Sequence, residues 1–261
     1  MIAAFSTGDR GGWRGMWKLE RAAVARRLGE LVAEPGRFRQ GRLNLCGPAA
    51  LFTVWFDRDP VAAVRFGIDL FETGRGRLGP HEVVASPALR DHAYGQTERG
   101  RSCPQADWML MASLRDSSNR LVRYSRPGGL REPAAAITMP GAMLRWLTAT
   151  GCYESVVDET NLVRRKGIGH AESLAPTPGE DVFLLVALEM FRRPEGAWRR
   201  ARDRVVSLVP NHWVLLRSPV RLVANEVRFA FWSWGALHEA TLAGSAFERC
   251  YYGALRARTT V

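Results

Sequence analysis

Read for the spacing of apolar and polar positions, the chain divides into a helical first part and a strand-rich last third. Leu19, Ala22, Ala23, Arg26, Arg27 and Glu30 are helix formers at helical spacing, which predicts a helix over residues 16–32 that stops at Pro35-Gly36. Residues 1–15, rich in glycine, read as a loose arm. A second helix begins just after Cys46, with Pro48 in its first turn, where the missing N–H costs nothing. Its residues Ala49, Ala50, Leu51, Val54 and Trp55 are apolar nearly all round, so this helix is expected to be buried. A third is capped by Asp59, opened by Pro60 and closed at Gly74.

Residues 75–103, with many Gly, Pro, Arg and His, read as loop. A helix over 105–116 follows, then another loop through Pro133, then a helix from Pro140 to Gly151. Beyond that the period changes. Residues 182–188 form a continuous apolar run, and 204–209, 213–216, 220–223 and 227–232 are β-branched or aromatic segments. Ala224-Asn225 supplies a turn, and a helix over 246–257 ends the chain. Helices first and an antiparallel sheet later define an α+β fold. With no repeat or clear linker, residues 1–261 read as one domain, with residues 75–180 as a long insertion region.

Composition changes this picture in one respect. Lys and Arg outnumber Asp and Glu by 37 to 26, a formal charge of +11, and Lys18 and Lys166 are the only lysines. Arginine suits acidic partners, but the same bias follows from a GC-rich genome. No arginine run is interleaved with aromatics, so nucleic acid is not the expected partner. Cys46, Cys103, Cys152 and Cys250 are scattered without a CxxC pair, which leaves zinc and thioredoxin-type chemistry unsupported and free thiols the expected state. The first residues lack the pattern of a cleaved signal, and no apolar run is long enough to cross a bilayer, so the expected location is the cytoplasm of the producing cell. The string Gly74-Arg75-Gly76-Arg77-Leu78-Gly79 copies a dinucleotide fingerprint but follows a helix instead of a strand, which argues against nucleotide binding.

The most informative segment is Gln40-Gly41-Arg42-Leu43-Asn44-Leu45-Cys46-Gly47-Pro48. It sets a cysteine at the entrance of an apolar helix, where unpaired N–H groups and the helix dipole favour thiolate over thiol. A glutamine six residues upstream can aim its amide at the same spot, and with the Cys46 N–H it would receive an oxyanion. Gln, five residues, then Cys-Gly at a helix start resembles the papain-like cysteine peptidases, including the bacterial double-glycine peptidases. The resemblance implies Cys46 as nucleophile and Gln40 as oxyanion donor.

A base is then needed far away in sequence and on a strand. His81 and His92 lie in loop-like sequence, His170 follows a glycine-rich stretch, and His238 comes after the strands end. Only His212 opens a strand, in His212-Trp213-Val214-Leu215-Leu216, similar to the second papain-like motif. The family's third residue is an Asn or Asp on the strand paired with the histidine's. Here Phe231-Trp232-Ser233-Trp234-Gly235 resembles the family's Asn-Ser-Trp-Gly, but Trp232 stands in the asparagine's place. Ser233 becomes the residue expected to orient the ring, through its hydroxyl or a backbone carbonyl, with a Cys–His dyad as the alternative.

The resemblance implies a hydrolase that needs no metal or organic cofactor and acts on a protein or peptide. It is shared with papain-like toxins and effectors delivered by specialised secretion into a target cell, which implies an immunity protein or secretion apparatus as further partners. Deamidation, acyl transfer and an inactive papain-like binding module are the alternatives. Asp107-Trp108 and the stretch from Arg115 to Asn119 belong to the region expected to shape substrate choice, with Asp107, Asp116 and Asn119 expected at a helix surface or in caps.

Overall fold

The structure, a computed structural model, describes residues 1–8, 17–41, 43–91, 103–118, 138–191 and 209–259. The chain divides into two units, Met1–Cys152 and Tyr153–Val261. Helices dominate the first and an antiparallel sheet the second, so the fold is mixed α+β with the sheet C-terminal.

In the first unit α1 (Ile2–Ser6) replaces part of the expected loose arm, because Phe5 packs edge-on against Phe71. Helix α2 (Arg21–Ala33) starts later than its spacing predicts. Helix α3 (Cys46–Arg58) is buried without interruption from Cys46 to Phe56, as its all-round apolar pattern requires. Phe38 stacks on its Phe52 at 5.6 Å, and Trp55 meets Phe66 at 5.4 Å. Helix α4 (Pro60–Thr73) has the expected ends: the Asp59 carboxylate accepts from the Ala62 N–H at 2.9 Å, and Gly74 closes it in the left-handed region.

The stretch read as loop after Gly74 instead holds a hairpin, β1 (Arg75–Leu78) and β2 (His81–Val84), followed by α5 (Pro87–Arg90). Its glycines are there for packing. A Cβ on Gly76 would lie 2.7 Å from the Phe66 ring, and one on Gly79 (φ +53°) would lie 1.9 Å from the Ala149 carbonyl oxygen. The fingerprint-like string is therefore a strand and its turn, packed against Phe66 and Ala149, and another strand follows it instead of a helix.

Helix α6 (Gln105–Ser118) packs on α2, α3 and α4, and α7 (Pro140–Ala149) packs on α3. Asp107 and Asp116 are buried on α6, contrary to their expected place at a helix surface. Asp107 accepts from Arg27 Nε and Nη2 at 2.8 and 2.9 Å and from the Arg39 N–H at 2.7 Å. Burial weakens the Arg27 guanidinium's hold on its proton, but hydrogen bonds and charge from Asp107 more than offset this and hold it above its ordinary value. Asp116 Oδ2 accepts from the Ser86 N–H at 3.0 Å. Asn119 lies outside the described residues.

The second unit is one sheet of strand order β3-β9-β4-β5-β7-β6, with β8 on the other side of β7, every pairing antiparallel. The strands are β3 (Ser155–Asp158), β4 (Glu180–Val186), β5 (His212–Leu216), β6 (Arg221–Val223), β7 (Glu226–Ser233), β8 (Ala236–Ala243) and β9 (Tyr251–Arg258). The apolar run forms β4, buried from Asp181 to Val186. Ala224 and Asn225 both have positive φ and turn β6 into β7; Trp234 and Gly235 do the same between β7 and β8. The expected strand over 204–209 lies almost wholly outside the described residues.

The expected C-terminal helix is only half a helix. α9 (Gly244–Cys250) ends where β9 begins, and β9 runs between β3 and β4. Pairing on both edges outweighs the helix propensity of Ala254-Leu255-Arg256-Ala257. Gly253 (φ +107°) is required there, since a Cβ would lie 2.4 Å from the Glu159 carbonyl oxygen. A short helix, α8 (Ile168–Glu172), carries His170.

Candidate functional site

Cys46 is the first residue of α3 and is 4% exposed. Leu45 provides no side-chain cap, so Cys46 stands in the first turn, at the positive end of the helix dipole. Gly47 is dictated by packing: a Cβ would stand 2.5 Å from Thr138 Oγ1, just before α7. The glycine after the cysteine thus lets that segment close over the helix start. By contrast, burial pushes the Cys103 thiol well up and the Cys250 thiol up, which makes both weak nucleophiles. None of the four cysteines is in a disulfide.

Gln40 is buried and its Nε2 donates to the Leu43 carbonyl at 2.9 Å, inside a turn closed by the Leu43 N–H on the Gln40 carbonyl. The backbone leading to it is pinned. Arg27 donates to the Arg37 carbonyl at 2.6 Å, the Arg39 N–H donates to Asp107, and the Cys103 thiol donates to the Arg39 carbonyl at 3.2 Å.

One buried charge of the first unit has no signal in the sequence. Arg115, on α6, is buried; burial pulls its guanidinium down to about 10, while the negative charge of Cys46 works against that pull. Nothing in composition or spacing separates it from the chain's other arginines, because its burial is set by how α6 packs.

His212 opens β5 in the second unit and is 4% exposed. Asn211 holds the strand start in place: its N–H donates to the Val186 carbonyl and its Oδ1 accepts from the Leu188 N–H at 2.9 Å. His212 Nε2 lies 2.9 Å from Ser233 Oγ. The register explains this partner. Leu215 pairs with Trp232 and Leu216 with Phe231, so Trp232 shares the face of Leu215, opposite to His212, while Ser233 shares His212's face. An asparagine at 232 would point away from the ring.

The imidazole is enclosed by aromatics. Trp234, at φ +52°, stacks on it with centroids 4.7 Å apart, and Phe191 meets it edge-on at 6.3 Å. Such a conformation costs a non-glycine residue about 1–3 kcal/mol and persists only where packing imposes it. His238 lies on β8, because the strands continue beyond Gly235, and its Nε2 donates to the Ser233 carbonyl at 3.0 Å. Of the other histidines, His81 lies on β2, His170 Nδ1 is 2.8 Å from Tyr251 OH, and His92 lies outside the described residues.

Gln40 and Cys46 therefore belong to the first unit, and His212 with Ser233 to the second. Among the described residues no group of three or more His, Cys, Asp or Glu is placed to hold a metal ion, and no helix is long and apolar enough to cross a membrane.

Burial lowers His212 to about 3, which sets a pH dependence of stability. Between that value and the ordinary 6.5, the unfolded chain binds a proton that the folded chain refuses. Stability is therefore expected to fall as pH drops through this window, by up to about 1.4 kcal/mol per pH unit. His212→Gln lacks this loss, so urea titrations should show wild type losing stability faster than the variant below about pH 6.5. Parallel losses in the two proteins rule the assignment out.

The chain matches no family model, no curated protein and no solved structure.

Proposed function

We propose that the protein is a papain-like cysteine hydrolase that cleaves an amide or thioester bond through an acyl-enzyme, with a protein or peptide as substrate. The observation that carries the reading is the 2.9 Å contact between His212 Nε2 and Ser233 Oγ. It holds one ring nitrogen in place, and when Nε2 is the donor to Ser233 Oγ, Nδ1 is left as the proton acceptor, which is what a base serving a thiol requires. Cys46 at the start of a buried helix supports the nucleophile's role.

In this reading the Cys46 S–H proton passes to His212 and the thiolate attacks the carbonyl carbon. The second N–H of the Gln40 amide and the Cys46 backbone N–H receive the oxyanion. His212 then protonates the leaving amine, and water releases the acyl group. Ser233 takes the place of the family's Asn or Asp. The resemblance to effectors and toxins makes delivery into a target cell, and an immunity partner, part of the same proposal.

Burial of His212 favours one further reading, a papain-like module that binds without turning over, since a base lowered to about 3 is weak. Incubation of wild type and Cys46→Ala with a peptide-amide library, followed by mass spectrometry, separates the readings. Cleavage by wild type alone supports the hydrolase. Glutamine converted to glutamate without cleavage reassigns the same pair to deamidation. Capture of peptides by both proteins without conversion identifies a binding module.

A further inference from the structure

Among the described residues three strands lie at a margin of the sheet: β3 with four residues, β6 with three and β8 with eight. All of β8 is in unbroken register with β7, from Ser233↔Ala236 to Glu226↔Ala243, and none of its residues is buried. An edge of this length is normally blunted by lysine, proline or a bulge. The sequence Ala-Leu-His-Glu-Ala-Thr-Leu-Ala has no lysine, arginine or proline, and Glu239 is its one carboxylate.

The backbone groups that this edge presents follow from the ladder. In an antiparallel pair, residues opposite each other either exchange both hydrogen bonds or both turn away. Ala230 turns away from β8: its N–H donates to Ser218 Oγ at 2.7 Å, and its carbonyl accepts from the Arg217 N–H at 2.8 Å. Glu239, opposite it, therefore turns its N–H and C=O outward, and by alternation so do Leu237, Thr241 and Ala243. The Gly244 N–H has the other parity and donates inward, to the Asn225 carbonyl at 2.9 Å.

A strand laid antiparallel on this edge must set outward residues opposite outward residues. For a second β8 related by a twofold axis, the axis must then pass through a residue, since an axis between two residues opposes outward to inward ones. Centring on Glu239 places two carboxylates face to face and leaves Ala243 unpaired. Centring on Ala240 uses all four outward residues, with Glu239 opposite Thr241 and Leu237 opposite Ala243, and sets no like charges opposite each other. Thr241 pairs with Arg228 across the β7–β8 ladder, so Glu239 of the second copy falls in the same cross-strand row as that exposed arginine. Leu237, 65% exposed, is covered in part by Ala243 of the second copy.

We infer that β8 is a dimerisation edge: two copies of this chain pair antiparallel through β8, about a twofold axis at Ala240, and join their sheets into one. The pairing closes on itself, so it stops at two copies. It is independent of the hydrolase reading, since its evidence is backbone direction and register and its readout is mass.

Sedimentation equilibrium of the full chain across the micromolar range tests the pairing, with backbone amide exchange as a second readout. Wild type is expected to reach twice the mass of one chain. The amides of Leu237, Glu239, Thr241 and Ala243 should become protected as concentration rises, while those of His238, Ala240 and Leu242 are protected throughout. Thr241→Pro removes an outward N–H without breaking a bond to β7 and should leave the chain monomeric. Thr241→Glu sets a carboxylate opposite Glu239 of the second copy and should weaken the dimer about tenfold. Thr241→Lys should strengthen it, and Glu239→Arg combined with Thr241→Glu should restore it, a rescue that a merely structural effect at 241 does not predict. These charge changes lie at an exposed position, so they decide the matter even where the proline disturbs β8.

A wild type that stays monomeric throughout the range overturns the inference. So does a dimer whose affinity Thr241→Glu and Thr241→Lys leave unchanged. Outward amides that become protected only when an extended peptide is added to the monomer give the edge to a peptide strand, and that result overturns the pairing of copies equally.

Discussion

His212→Ala is expected to lower kcat/KM on a cleaved substrate by about 10²–10⁴-fold, the range for loss of a general acid–base. On the proposed mechanism the loss has two sources. The thiol loses its proton acceptor, and the leaving amine loses its donor. Ser233→Ala should cost far less, about tenfold, because it removes one hydrogen bond of about 1–1.5 kcal/mol and leaves the ring present. What remains in Ser233→Ala is the aromatic enclosure: Trp234 at 4.7 Å and Phe191 at 6.3 Å still confine the imidazole plane. Rotation about the ring axis, normally stopped by the 2.9 Å contact, becomes free. The loss should therefore fall on kcat and leave KM nearly unchanged. Steady-state kinetics of the two variants against wild type check both points. Equal losses in Ser233→Ala and His212→Ala would mean that the serine does more than orient, and an undiminished His212→Ala removes the base from the reading.

Asp107→Ala is expected to destabilise the protein by about 3–5 kcal/mol, the cost of leaving a buried charge without its partner. Three hydrogen bonds are lost at once: those from Arg27 Nε, Arg27 Nη2 and the Arg39 N–H. Arg27 keeps its contacts with Glu30 and the Arg37 carbonyl, but Glu30 is partly exposed and recovers little. The midpoint of a guanidinium titration measures the effect. Because Arg39 precedes Gln40, the same variant loosens the amide proposed to receive the oxyanion, so on that proposal activity should fall further than the folded fraction accounts for. A double change, Arg27→Met with Asp107→Leu, removes both charges and should recover much of the stability. Failure of that recovery would place the importance of the pair in shape, not charge.

The sequence was informative where local chemistry and burial agree. The all-round apolar face of residues 46–56 can only be satisfied inside a core, and α3 is buried there. Asp59, Pro60 and Gly74 act as a cap, a first turn and a stop through their own backbone preferences, independently of any distant contact. Ala224-Asn225 turns the chain at the expected place because two positive φ angles suit a right-twisted hairpin. Residue type and spacing single out Gln40, Cys46, His212 and Ser233, and of these the structure sets Ser233 Oγ 2.9 Å from His212 Nε2.

The rest was decided by tertiary structure. Residues 251–258 carry helix formers, yet they become β9 because β3 and β4 offer hydrogen-bond partners on both edges. The β1–β2 hairpin is written in Gly, Arg and His and has no alternating pattern to reveal it; Phe66 and Ala149 packed against its glycines define it. Asp107 and Asp116 look like surface residues of a helix, but a buried Arg27 and the Ser86 N–H make their burial possible. Arg115 is one arginine among many until α6 packs on α3 and buries it. Which residue reaches the His212 ring was set by strand register, a relation between two segments that neither contains by itself. Residue type alone determined which groups could carry the chemistry, and tertiary packing decided which neighbours hold them, because burial and register arise only when distant segments meet.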